Sequence, residues 1–314
     1  MKEKLKIKSQ PLFIRPELAT RSEKYFSDKD WIYEEKFDGI RCLAVKKNEE
    51  VTLFSRNKNK LNETYPELVE EFKKQKTKNF MLDGEIVAFE KGKTSFSKLQ
   101  QVKRKKIKVY IYVFDLLFFE KFDLRNQKLI DRKKILKQKF KFSNAFRYTT
   151  HIDKNGEAYY KKACKKGWEG IIAKNKDSKY LSKRTRDWLK FKCSKRQEFV
   201  IAGYTDPQGS RVGFGSLLIG YFDKKRFKFA GKAGTGYDTE FLKEFSKKLK
   251  KIETKKTPFK EKISHKNKHF VQLKYVADVG FSQWTKDGKL RHPRYIGLRS
   301  DKSPKEVVRE SKGR

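Results

Sequence analysis

Apolar residues along this chain fall into short runs with two different periods. In "VYIYVFDLLFF" (109–119) and "FMLDGEIVAF" (80–89) they are nearly continuous and rich in aromatic and branched side chains, the signature of strands. An Asp-Gly pair interrupts the second run and predicts a bulge there. "VTLFSRN" (51–57) alternates and then meets a polar turn, a third strand. A helical spacing governs "YPELVEEFKKQ" (65–75), "DRKKILKQKFK" (131–141) and "GEAYYKKACKKG" (156–167). Asp131 is the expected N-cap of the second helix, and Gly167 stands at the C′ position of the third.

The texture changes after "WLKFKCSKRQEF". From about residue 197 come "EFVIAGYT", "GSLLIGYF", "RFKFAGKAG", a helix capped near Asp238, and "HFVQLKYVADVGF". Short strands, glycine-rich turns and one inserted helix predict a small barrel of the OB type. Ser303, Pro304 and Glu306 make a capping box with proline at the first helical position. A chain of 314 residues suits two domains better than one, so the expected division is 1–195 and 196–314. The expected fold class is α+β, with antiparallel sheets in the first domain and a β-barrel in the second.

Charge alters that picture more than composition does. Eighty Lys and Arg against 39 Asp and Glu leave a formal net charge of +41, which repels itself in a compact fold unless a polyanion is near. DNA, RNA and anionic membrane surfaces are the candidates; a lysine-rich coding bias accounts for part of the excess but places no specific cluster. No run approaches the ~20 apolar residues of a membrane span, and "MKEKLKIKSQPLF" lacks the apolar core of a secretory signal. Cys42, Cys164 and Cys193 are odd in number and far apart, which predicts buried thiols in a reducing cytoplasm and no disulfide framework. The four histidines show no metal-site spacing.

One stretch stands out from the basic background. In "WIYEEKFDGIR" (31–41) a single lysine, Lys36, is framed by Glu34, Glu35 and Asp38. An amine must shed its proton to attack, an ordinary lysine titrates near ~10.4, and carboxylates alone hold the proton on. The arrangement suits a nucleophile only if a second cation or a charged substrate enters, as Mg²⁺ with a phosphate electrophile does. Taken alone, the stretch also reads as a surface ion-pair cluster.

Six further segments, in order, settle which reading applies. "KFDGIR" resembles motif I of the covalent nucleotidyltransferases, which comprise DNA ligases, RNA ligases and capping enzymes. "SRN" (55–57), "LDGEIVA" (82–88), "YVFDLL" (112–117), "EGIIAK" (169–174) and "WLKFK" (188–192) resemble motifs Ia, III, IIIa, IV and V. "WTKDGKLRHPRYIGLRSDK" (284–302) resembles motif VI. "SFSKLQ" (95–100), "DPQGSRVGFGSLLIGYFD" (206–223) and "AGKAGTGYD" (230–238) narrow the likeness to the ligase domain of bacterial ligase D, the ATP-dependent ligase of non-homologous end joining. Polymerase and phosphoesterase modules and a preceding helical DNA-binding domain are missing from the sequence. The chain is thus a solitary core or one piece of a larger protein or multi-gene system.

The resemblance implies an ATP-dependent DNA ligase with an adenylation domain and an OB domain. Lys36 would attack the α-phosphate of ATP and carry AMP as a phosphoramidate. Glu34 would read the adenine amino group and Phe114 would stack on the purine. Arg41 and Arg56 would contact AMP or the 5′-phosphate, and Lys190 and Lys192, alternating in one strand, would face the same phosphate. Glu85 would lie by the ribose and assist the metal, with Asp38 and Glu169 as further ligands of Mg²⁺ or Mn²⁺. Arg299 and Lys302 would orient the pyrophosphate when the OB domain closes on ATP. The implied partners are DNA as nicked duplex or broken ends, Ku, and a separate end-processing polymerase. The protein would act as a monomer in the cytoplasm, associated with the nucleoid and with no membrane. "VKRKKIKV" (102–109) is a basic cluster suited to DNA. An RNA ligase or GTP-using capping enzyme shares motifs I to V, and a basic nucleic-acid-binding protein with a decayed site is the rival from another class.

Overall fold

The computed structural model describes residues 6–310 apart from Lys225, Lys262, His265 and Lys266, and gives only the backbone at Lys6 and Lys103. The opening of "MKEKLKIKSQPLF" therefore lies outside the described residues. Two compact units divide the chain, the first ending at Cys193 and the second beginning at Ser194.

The first unit is built on two sheets. In the larger, Val109–Phe119, Asn79–Glu90, Ile40–Lys47 and Glu50–Ser55 run side by side and antiparallel. The register slips between Asp83 and Gly84, the bulge that the Asp-Gly pair predicts. In the smaller sheet the order is His151–Asp153, Trp31–Glu35, Gly170–Asn175, Arg184–Lys192, Leu18–Arg21. Two edge pairings run parallel, Phe146–Tyr148 on Val109–Phe119 and Leu18–Arg21 on Arg184–Lys192, where long connections join the partners.

Alternation places the cores. Along Ile40–Lys47, Cys42 and Ala44 face a cluster with Leu68, Phe72, Leu82 and Phe146, while Leu43 and Val45 face Met81, Phe114 and Trp188. On the smaller sheet Tyr33, Ile171, Ala173, Leu189 and Phe191 bury their odd-numbered face with Ala163 of the Gly156–Lys165 helix. The even-numbered positions are left to face the other way.

Two expectations need correction. The Leu129–Lys139 helix begins before Asp131, with Lys128 at its N-cap position. No side-chain cap is needed because the Leu129 and Ile130 amides donate to the Ser178 and Lys176 carbonyls, each at 3.0 Å. Secondly, Cys164 and Cys193 form a disulfide, with Cα atoms 5.1 Å apart, and only Cys42 is a buried free thiol. Spacing of 29 residues along the chain hid a pairing that the fold makes, because the helix carrying Cys164 packs against the strand ending at Lys192.

The second unit is a curled, mainly antiparallel sheet of the OB type. Arg226–Ala233, Leu217–Asp223, Arg196–Thr205 and Lys268–Gly280 are consecutive neighbours, with Glu253–Thr254 and Arg294–Leu298 also on Lys268–Gly280. A slip at Ile201/Gly203 bends the long pair. The helix Thr239–Lys250 is capped by Asp238, whose carboxylate accepts from the Phe241 amide at 2.7 Å, and Ser303 opens the capping box on Pro304–Glu306. No helix of the described residues is long and apolar enough to cross a membrane.

Candidate active site

Even-numbered positions of the smaller sheet gather the chemistry. Glu34 lies opposite Ile172, and Ile172 opposite Lys190; Lys174 lies opposite Trp188, and Gly170 opposite Lys192. Residues directly opposed across strands share a face, so Glu34, Lys174, Lys190 and Lys192 all project to one side. Glycines permit the close approach that this needs. A Cβ at Gly170 would lie 1.9 Å from the Phe191 carbonyl, and one at Gly39 would lie 2.1 Å from the Ile86 carbonyl.

Lys36 leaves the end of the Trp31–Glu35 strand with its amide donating to the Gly170 carbonyl at 3.0 Å. Its Nζ lies 2.5 Å from Glu169 Oε2, the lysine side chain 19% exposed and the carboxylate 6%. Glu169 is itself fixed from behind, since its carbonyl accepts the Cys193 amide at 2.9 Å. An amine reachable from solvent and held by one carboxylate can act as a nucleophile once a cation or charged substrate competes for that carboxylate.

Two residues earlier, Glu34 is sealed. Its Oε1 accepts from Lys133 Nζ at 2.5 Å and its Oε2 is 2.6 Å from Lys174 Nζ, all three side chains being at most 2% exposed. Burial alone would raise the Glu34 carboxyl, but Lys133 and Lys174 override it and hold the group below the usual carboxylate range. Burial lowers Lys174 in turn, against the pull of Glu34. Lys133 also donates to the Thr149 carbonyl at 3.1 Å.

Several expected nucleotide contacts are thus turned inward. Both oxygens of Glu34 are taken by lysines, so its carboxylate does not present itself to an adenine. Phe114 is a core residue, 8% exposed, with the Arg41 guanidinium 4.6 Å and the Lys174 ammonium 4.2 Å from its ring centre. Arg41 forks onto Asp83 at 2.5 and 2.6 Å, and Tyr180 donates to the same carboxylate at 2.5 Å. Alternation explains all three, because each sits at a position facing the space between strands of the two sheets.

The remaining expectations divide similarly. Asp38 accepts the Phe96 amide at 3.3 Å, so its carboxylate tethers the "SFSKLQ" helix, whose N-cap is Ser95. Glu85 is paired in register with Arg41 and Tyr112. Among the described residues no three of His, Cys, Asp and Glu gather into a metal cage, so Asp38, Glu85 and Glu169 do not form one together. Glu169 is a hard oxygen donor beside Lys36, and Mg²⁺ or Mn²⁺ typically takes one or two such carboxylates and completes its shell with water and substrate phosphates. Lys190 and Lys192 are half-buried while Leu189 and Phe191 between and before them are buried, as alternation predicts. Arg56 sits half-buried in the turn after Glu50–Ser55, and the segment 104–106 of "VKRKKIKV" is exposed.

In the second unit, Arg299 forks onto Asp301 at 2.8 and 2.7 Å, its backbone amide on the Val276 carbonyl. Burial would raise Asp301, but Arg299 draws it below the usual range. Lys302 lies 3.8 Å from Glu198.

Sequence reasoning missed Lys133, Lys174 and Asp83. One signal was present: Leu129, Arg132, Lys133 and Leu136 make the buried stripe of their helix, so two cations occupy its middle. Arg132 forks onto Asp115 with both side chains fully buried.

Comparisons with known proteins identify the family. A family model described as ATP dependent DNA ligase domain matches residues 16–192, and one described as ATP dependent DNA ligase C terminal region matches 210–302. A multifunctional non-homologous end joining protein LigD of Pseudomonas aeruginosa is 32% identical over 311 residues, covering 96% of this chain. Its counterpart of Mycobacterium bovis is 35% identical over 288 residues, covering 89%. The match spans only 37% of either relative's length. A mycobacterial DNA ligase D complexed with ATP and MES superposes with a TM-score of 0.69 at 31% identity, covering 94% of this chain and 98% of that one.

Proposed function

Because the chain belongs to the ATP-dependent DNA ligase family, we propose that it seals 5′-phosphate/3′-hydroxyl breaks through AMP carried on Lys36. Residues 1–195 act as the adenylation domain and 196–314 as the OB-fold domain. The observation that carries the assignment is the half-open contact of Lys36 with Glu169, in a chain that holds the other motifs in order.

Lys36 Nζ attacks the α-phosphate as the free amine, its protons passing to solvent; a N–P bond forms as the P–O bond to pyrophosphate breaks, and pyrophosphate leaves. Glu169, 2.5 Å away, holds the ammonium in the resting site and is the carboxylate that would join a divalent ion. Such an ion, when bound, would supply positive charge to the phosphates, with Glu169 as one of the oxygens holding it. Lys190 and Lys192 lie on the same strand face and hold phosphate oxygens; Arg56 takes the incoming 5′-phosphate. The Glu34 cluster, with Phe114, Arg41, Asp38 and Glu85, fixes the walls around the nucleotide rather than grasping it with free charges. Arg299 and Lys302, from the second unit, serve the pyrophosphate. AMP then passes to the DNA 5′-phosphate, and the 3′-hydroxyl displaces it. Splitting the reaction in two conserves the energy of ATP for the new bond.

The relatives' names support a role in non-homologous end joining, and we extend that reading to Ku and a separate end-processing polymerase as partners and to the nucleoid as the place of work. The test is incubation with α-labelled ATP followed by nicked DNA. Label on the protein that chases to DNA and then to free AMP supports the reading, and absence of label on the wild-type protein overturns it.

A further inference from the structure

Within the second unit a cavity of about 670 Å³ opens between the strands Leu217–Asp223 and Arg226–Ala233 and the turn 286–289. None of the residues assigned to ATP or to Lys36 lines it. Tyr221, Phe229 and Ile263 supply apolar surface, and Lys232, Lys286 and Arg309 surround it with charge. An aromatic floor under a cationic rim matches one chemistry, a base carrying a phosphate.

The charge balance supports an anion. Asp287 is 3.3 Å from Lys289, Lys228 is 2.8 Å from Asp223, and Glu261 accepts the Phe229 amide at 2.9 Å. The two ion pairs cancel, while Glu261 keeps its charge because its partner is a neutral amide. Lys232, Lys286 and Arg309 make no carboxylate pair among the described residues, so three positive charges line the opening against the single negative charge of Glu261. Arg309 is also pre-set: its guanidinium lies 4.4 Å from the centre of the Trp284 ring, which holds the plane in place and leaves its N–H edge for a phosphate. Gly288 lies at the mouth with φ +76°, a backbone conformation that favours glycine.

We propose that this cavity binds an unpaired stretch of single-stranded DNA, one base lying on Phe229 and its phosphates on Lys232 and Arg309. A nick offers no unpaired strand, whereas a broken end with an overhang does. The site therefore discriminates between the two substrates of the proposed ligase. That reading supplies the choice of DNA; the cavity and its lining stand without it.

The experiment uses the full chain and a fluorescent oligo-dT hexamer, beside an abasic hexamer of equal length and charge. Lys232→Glu/Arg309→Glu is compared with Lys243→Glu/Lys247→Glu, an equal charge change on exposed lysines of the Thr239–Lys250 helix. The expected result is a loss of about tenfold or more for the first variant and under about threefold for the second. The abasic hexamer should bind the wild type about tenfold more weakly than oligo-dT, the scale of one stacked base. Photo-crosslinking of an iodo-uridine hexamer to the wild-type protein should mark the peptide containing Phe229. Equal losses in both variants, equal binding of the abasic strand, or crosslinks elsewhere would overturn the proposal. Nick sealing, assayed on the same preparations, tests the ligase reading separately.

Discussion

Glu34 and Lys36 stand two residues apart on one strand end, yet solvent reaches only the second. Glu34 is closed in by Lys133 and Lys174, with both oxygens used and almost no exposure. Lys36 meets a single carboxylate oxygen, and a fifth of its side chain remains accessible. Opposite charges in contact thus serve two ends. A sealed cluster is expensive to open, because removing one member leaves another buried without its counterion. An open pair can exchange its partner for an incoming phosphate or cation. In the proposed reading, the wall of the site and its working group are made from the same residue types and separated by access to water.

The comparison can be broken most severely at its open end. Lys36→Ala should cut labelling by α-labelled ATP by about a thousandfold or more, while sealing of DNA already carrying 5′-AMP survives. Both rates are measured on one preparation, and labelling retained by the variant would remove Lys36 from the chemistry. At the sealed end the damage should fall on folding. Glu34→Ala should cost about 3–5 kcal/mol in denaturant unfolding, since Lys133 and Lys174 lose their common counterion. Glu169→Gln, beside the half-open lysine, should cost under about 1 kcal/mol by the same measurement. Equal losses in the two would erase the distinction.

A third change probes what fixes Glu169 from behind. Cys164→Ser removes the covalent closure of a loop with sequence separation 29 and should lower stability by about 3.5 kcal/mol under oxidising conditions, with no further loss on adding a dithiol. A last contrast is Glu17, equally buried but facing a hydroxyl and an amide instead of lysines. It accepts from Thr185 at 2.5 Å and Leu181 at 2.9 Å, and burial pushes it up to about 7. Here the folded state binds a proton that the unfolded state has released. The group's stabilisation is full below about 4.5 and is lost as pH rises to about 7. Glu17→Gln should therefore flatten the fall in stability between pH 5 and 7 by up to about 1.4 kcal/mol per pH unit. Parallel curves for the two proteins would refute the raised acid.

Much of this was legible in the sequence. Val109–Phe119 matches its apolar run to the residue, and the Asp83–Gly84 slip sits where the Asp-Gly pair predicts it. Lys36 was singled out by the acids around it, and Lys190 and Lys192 by the resemblance of "WLKFK" to motif V, with alternation placing both on one strand face. The rest was hidden by one assumption, that a charged side chain faces water. Arg132, Lys133 and Lys174 are interior because each has a carboxylate from a distant segment, which periodicity cannot supply. The same long-range pairing turned Arg41 onto Asp83 and joined Cys164 to Cys193.

That last link also decides where mechanical load goes. Cys193 ends the first unit, and any tug from the second arrives along the backbone at Ser194. It meets a covalent anchor before it reaches Lys192, Lys190 or the carbonyl of Glu169. The sulfur bridge diverts tension into the Gly156–Lys165 helix, which is seated on Tyr33, Ile171 and Phe191. Tension that enters the first unit at Ser194 therefore falls on a helix, and the carboxylate beside Lys36 is spared the strain.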